Sequence, residues 1–213
     1  MRTAELIAML ARNAGPVETA APQRRYRVAL GWGAFGAALL MALVLGVRPD
    51  LAEAARLPMF WVKLAFPAAI FAGALVTVLR LSRPGVQLGR VCAGLAAPVL
   101  AMWVLGAGTL LAAAPGDRAV LLFGESAATC PFTIAILSIP LFVAGLWAMK
   151  GLAPTRLVLA GAASGLLAGA GGALVYALFC TEMAAPFISI WYLLGMLIPA
   201  GVGAMLGPRL LRW

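Results

Sequence analysis

Long uncharged runs alternate with short charged clusters along the whole chain. Residues 28–47 hold no charge between Arg27 and Arg48, 91–116 none between Arg90 and Asp117, and 126–149 none between Glu125 and Lys150; the runs 157–181 and 183–208 follow. Each reaches the roughly 20 residues that an α-helix needs to cross a hydrocarbon core of about 30 Å. A sixth run, 59–79, is interrupted by Lys63 one turn from its start. The pattern predicts an all-α integral membrane protein, a six-transmembrane-helix bundle, with a tail at 1–27, a membrane domain at 28–208 and a short C-terminal segment at 209–213.

Within the runs, Gly161, Gly165 and Gly169 recur every four residues, as do Gly203 and Gly207. Small residues at that spacing let two helix backbones approach closely, so these glycines are expected to pack the bundle. Pro67, Pro98, Pro140 and Pro199 also lie inside spans, where each removes a backbone donor and kinks or unwinds its helix locally.

Composition sharpens the class. The 213 residues are 64% hydrophobic and 11% charged, with a mean hydropathy of +1.02, which excludes an ordinary soluble globular domain. The net charge of +9 would suggest a nucleic-acid partner in a soluble chain. Its placement gives it another meaning. Of the 16 basic residues, all but Arg48, Arg56, Lys63 and Arg118 flank one side of the spans, whereas Asp50, Glu53, Asp117, Glu125 and Glu182 fall on the other. Basic residues mark the cytoplasmic side, so both termini are expected in the cytoplasm, with the bilayer as a partner and no direct contact with nucleic acid. Residues 1–27 contain no apolar core of a signal peptide, and the first apolar run is longer than such a core, so it reads as a retained helix.

The chain has no histidine, which removes imidazole acid–base catalysis, His-activated Ser or Cys nucleophiles and His metal ligands. No enzyme is expected. Lys63, the one charge inside a span, lies close enough to the outer boundary to snorkel into the interface beside Trp61. Cys92 lies at the cytoplasmic start of the third helix, where a lone thiol packs as a small hydrophobe.

The other two cysteines are more informative. Cys130 opens the fourth helix on the outer side and Cys180 closes the fifth on the same side; a short turn around Lys150 to Arg156 makes those helices antiparallel neighbours. Three roles stay open: a disulfide that staples the hairpin, a pair that reacts with oxidants or transiently captures a soft metal ion with Met183 as a further donor, or unpaired packing residues. Apart from such an ion, no cofactor is expected.

The tail carries a second candidate. Thr3 is placed to cap a short helix, Glu5 suits its N-terminal dipole, and Asn13-Ala14-Gly15-Pro16 ends it. Leu6, Ile7 and Leu10 share one face, opposite Glu5 and Arg12. About ten residues do not hold a helix alone, so this face must dock, either on the lipid interface or in the groove of a cytosolic partner. Residues 14–24 read as a tether.

With these pieces placed, the chain resembles the bacterial membrane anti-sigma factors typified by the negative regulator of sigma F (NrsF). The resemblance is carried, in order, by Glu5-Leu6-Ile7 with Leu10-Ala11, Arg48-Pro49-Asp50-Leu51, Pro58-Met59-Phe60-Trp61-Val62-Lys63 and Leu152-Ala153-Pro154-Thr155-Arg156. It continues through Ala173-Leu174-Val175-Tyr176-Ala177-Leu178-Phe179-Cys180, Ala185-Pro186-Phe187 with Trp191-Tyr192, and Gly207-Pro208-Arg209-Leu210-Leu211-Arg212-Trp213. It implies a six-span inner-membrane protein that holds an extracytoplasmic-function sigma factor inactive through its N-terminal tail, at Leu6, Ile7 and Leu10. It further implies that Cys130 and Cys180 sense metal or oxidative stress in the periplasm and trigger release. The competing reading is a permease for a metal or a small neutral molecule, with the soft thiols on its entry side.

Overall fold

The computed structural model describes residues 3–12, 20–46, 48–83, 85–152 and 154–212, apart from the side chain of Leu10. Among them every regular element is helical. Helix α1 (Thr3–Arg12) is followed by α2 (Ala21–Val44), the short α3 (Leu51–Ala54), α4 (Pro58–Leu81), α5 (Val91–Ala112) and α6 (Arg118–Phe123). Then come α7 (Cys130–Leu137), α8 (Ile139–Lys150), α9 (Leu157–Tyr176), α10 (Ala185–Phe187), a π-helical turn (Ile188–Tyr192) and α11 (Leu193–Leu210).

Five helical stretches are long and apolar enough to cross a membrane, and a sixth is complete if α7 and α8, bent by 46° at Ser138, count as one span. These coincide with the six apolar runs, but their ends differ for local reasons. Helix α2 starts at Ala21, seven residues before the first run, because Pro22 suits a first turn and Arg24, Arg25 and Arg27 are carried on the helix itself. Proline also stands in the first turn of α4, α7, α8 and α10. The fifth span stops at Tyr176, leaving Cys180 in the connecting segment.

Helix α9 is the centre of the bundle, packed against α11 above all and also against α4, α8 and α7. Its sequence explains why. A Cβ on Gly161 would strike the carbonyl of Gly203, one on Gly165 the carbonyl of Pro199, and one on Gly207 the carbonyl of Leu157. The glycine repeats therefore pack backbone on backbone, as their spacing predicts. Because a carbonyl in a helix cannot swing aside, Gly165→Val is expected to cost about 1–3 kcal/mol or more. Its thermal aggregation midpoint in detergent should fall well below that of Gly108→Val, a position on α5 with open space around it.

The break at Ser138 also has a sequence cause. Pro140 cannot donate a backbone hydrogen bond, and the Ser138 hydroxyl donates to the Ala135 carbonyl at 2.6 Å, satisfying part of the loosened turn. Gly172 of α9 lies against this break, where its Cβ would meet the Ile134 carbonyl at 2.8 Å.

Alternating helix directions collect the charges at two ends. One end, hereafter the basic end, carries Arg24, Arg25, Arg80, Arg83, Arg90, Lys150, Arg156, Arg209 and Arg212; the other, the thiol end, carries Arg48, Asp50, Glu125, Cys130, Cys180 and Glu182. Among the described residues, helix α1 makes no extensive contact with the other elements.

Candidate functional site

Three connections converge at the thiol end. The segment after α2 brings Arg48 and Asp50, the α6–α7 turn brings Glu125, and the α9–α10 segment brings Cys180 and Glu182. Between them stands Lys63 of α4. It does not snorkel to the interface: it is fully buried, and this corrects the expectation for it. Residues 61 and 63 point about 200° apart on a helix, so Trp61 faces outward while Lys63 shares the inner face of α4 with Phe60, Pro67, Ile70 and Ala74.

A buried ammonium is tolerated only when its donors are satisfied. The Lys63 Nζ donates to the Cys180 carbonyl at 2.6 Å and to the Glu182 carbonyl at 2.8 Å, and it stands 5.6 Å from the centre of the Tyr192 ring. Arg48, also buried, adds a donation from Nη1 to the same Cys180 carbonyl at 3.3 Å. Its Nε and Nη2 hold the two Asp50 carboxylate oxygens at 2.7 and 2.5 Å. That hydrogen-bonded pair keeps the Asp50 carboxyl below the usual aspartate range and raises the Arg48 guanidinium above its own. Glu182 extends the network, its Oε1 accepting from the Glu125 backbone N–H at 2.8 Å. The backbone of residues 180–182 is thus clamped by two cations from α4 and the α2–α3 connection.

Both thiols lie inside this frame. Cys130 and Cys180 are buried in one apolar cluster with Tyr176, Phe187, Ile188 and Tyr192, and both are free thiols. Tyr176 and Tyr192, whose ring centres stand 5.7 Å apart, share this cluster with both thiols. Tyr192 ends the π-helical turn, a feature that recurs at functional sites because it shifts the register of a helix face. A cavity of about 620 Å³ opens beside Cys180, lined also by Arg48, Glu125, Thr133, Tyr176 and Glu182, and Cys130 is not among its lining residues. Met183, the suggested further donor, does not line that cavity. Among the described residues, no group of three or more Cys, Asp or Glu is placed to hold a metal ion.

The hairpin argument therefore brought together the residues it named, Cys130 and Cys180. It did not find Arg48, Lys63, Tyr176, Glu182 or Tyr192. The available signal was Lys63 itself: a charge inside a span, in register with the apolar positions at 60, 67, 70 and 74, marks an inward face.

In the tail, α1 forms over Thr3–Arg12 with Thr3 as its first helical residue. Leu6, Ile7 and Met9 are exposed, Ile7 to 62%. The side chain of Leu10, the stop at 13–16 and residues 14–19 of the tether lie outside the described residues, while residues 21–24 belong to α2.

Comparison with known proteins adds the family. The model of "Negative regulator of sigma F" matches residues 10–213. A protein of Azospira oryzae named "Probable anti-sigma-F factor NrsF" is 56% identical over 213 residues, covering all of both chains. The "Anti-sigma-F factor NrsF" of Caulobacter vibrioides is 39% identical over 225 residues, again over the full length of both. No solved structure matches the chain. A family model spanning nearly the whole sequence, and two full-length relatives that bear the same name, place this chain in the NrsF family of negative regulators of sigma F.

Proposed function

We propose that this chain is a membrane anti-sigma factor that holds an extracytoplasmic-function sigma factor through α1 and lets it go when Cys130 and Cys180 react. The observation that carries the reading is the full-length match to two proteins named as anti-sigma-F factors. The distribution of basic residues supports an inner-membrane protein with the basic end and both termini in the cytoplasm, so the thiol end faces the periplasm. The division into a tail at 1–27, a membrane domain at 28–208 and a cytoplasmic end at 209–213 belongs to the same reading. It is a regulator, with no resident cofactor.

The clamp supplies a physical route. A peroxide that reaches Cys180 through the cavity oxidises the pair: two thiols lose two protons and two electrons, the sulfurs join, and the peroxide leaves as two waters. A soft metal ion would instead displace the two thiol protons. Either event shifts the Cys180 backbone, whose carbonyl is held by both Lys63 and Arg48. Strain at that point passes to α4 and α9, and α9 rests on the α7–α8 break at Gly172. The bent pair is the two-state element that links a periplasmic reaction to a cytoplasmic tail. A tenfold release requires only about 1.4 kcal/mol of difference between the two states.

Reporter transcription from a sigma-dependent promoter tests this. Expression of the chain should silence the reporter, and peroxide or cadmium should restore it. Cys130→Ser and Cys180→Ser, singly and together, should keep silencing but lose induction. Unchanged induction in all three variants defeats the sensing role; a reporter indifferent to the chain defeats the anti-sigma reading.

A further inference from the structure

At the basic end, the first turns of α2 and the last turn of α8 form a feature unrelated to the thiols. The Arg25 guanidinium lies over the Trp147 ring, 4.3 Å from its centre, and its Nη2 donates to the Trp147 carbonyl at 3.3 Å. It rests directly on Gly151, where a Cβ would occupy the space of the guanidinium. Its Nε is enclosed without a hydrogen-bond partner. Arg24 and Arg25 line a cavity of about 290 Å³ with Trp147, Gly151 and Leu152, and among the described residues no carboxylate lines it.

This cavity continues along the bundle. Val28 and Trp147 also line a second cavity of about 620 Å³, whose other walls include Trp32, Pro140 and Val143. The second cavity is an apolar groove between α2 and α8, opened where Pro140 starts a helix after the 46° bend. The two cavities adjoin at Val28 and Trp147, and together they offer cations and an indole at one end and hydrocarbon walls at the other.

From this geometry we infer that the α2–α8 depression binds an anionic phospholipid, its phosphate at Arg25 and one acyl chain in the groove beneath. The charge at the mouth selects a negative headgroup, because basic pockets between membrane helices attract anionic lipid and gain little from a zwitterion. Arg suits the role because its planar fork meets phosphate oxygens two at a time, and stacking on Trp147 fixes that fork before the ligand arrives. The groove supplies what a free anion cannot use: apolar walls for a chain.

Native mass spectrometry of the full-length protein in detergent, with added lipids of matched chains, tests the site. Phosphatidylglycerol should be retained at least fivefold more than phosphatidylcholine. Arg25→Gln should lower that retention about fivefold, and Arg212→Gln, a basic residue at the same end, should leave it unchanged. Val143→Trp keeps every charge and adds bulk on an exposed face of the groove; it should also lower retention severalfold. Glycerol phosphate in excess should fail to displace the lipid. Equal retention of the two lipids, equal behaviour of Arg25→Gln and Arg212→Gln, or retention unaffected by Val143→Trp overturns the site, and displacement by glycerol phosphate reduces it to an anion site without a lipid.

Discussion

Replacing Leu6 and Ile7 together by aspartate is expected to abolish silencing, raising the sigma-dependent reporter to its level in cells that lack the chain. Helix α1 presents these residues to solvent, on the side away from Glu5 and Arg12, and the bundle does not cover them. Burying a Leu or Ile side chain contributes about 1.5–3 kcal/mol. Losing both therefore removes about 3–6 kcal/mol, roughly two to four orders of magnitude in affinity. Arg12→Gln, on the opposite face, should change silencing little. If the double variant silences as well as the parent, the sigma factor is held elsewhere.

The second large effect is expected at Lys63. Lys63→Met keeps much of the side chain's length and removes the only donor that the Glu182 carbonyl has among the described residues, while Cys180 keeps only the longer contact from Arg48. A buried acceptor left unpaired costs about 1–3 kcal/mol. At about 2 kcal/mol, the equilibrium for opening the 180–182 segment shifts by roughly thirtyfold. In a Cys92→Ser background, labelling of Cys180 by a membrane-impermeant maleimide should accelerate by that factor, and the reporter should become partly active without any stimulus. A labelling rate equal to that of the parent would show that Lys63 does not hold the segment.

Much of this arrangement could be read in the chain itself, and the parts that could not share a physical cause. The spans were legible because hydrocarbon admits few charges, and the glycine repeats because four-residue spacing has one common use in membranes. That Cys130 and Cys180 fall in one cluster, where both are free thiols, followed from a turn too short to separate the helices. Lys63 misled because its distance from the span's end suggested the interface, whereas its angular position decides where it points, and only the partners at Cys180 and Glu182 make burial affordable. The break at Ser138 was legible through Pro140, whereas the π-helical turn at Ile188–Tyr192 sits in tertiary packing against Trp103, whose indole N–H donates to the Ser189 carbonyl at 3.2 Å. No local pattern announces such contacts. Sequence reasoning found α1 because amphipathic spacing acts within ten residues, although Thr3 stands inside the helix and not at its cap.

The most direct measurement is the amount of sigma factor that co-purifies with the full-length chain in membranes, before and after exposure to peroxide. The proposed function predicts sigma factor bound to the parent and to Cys180→Ser in untreated membranes. After peroxide, binding should fall about tenfold for the parent and stay unchanged for Cys180→Ser. A chain that retains no sigma factor under either condition, or one that retains it equally before and after peroxide, would contradict it.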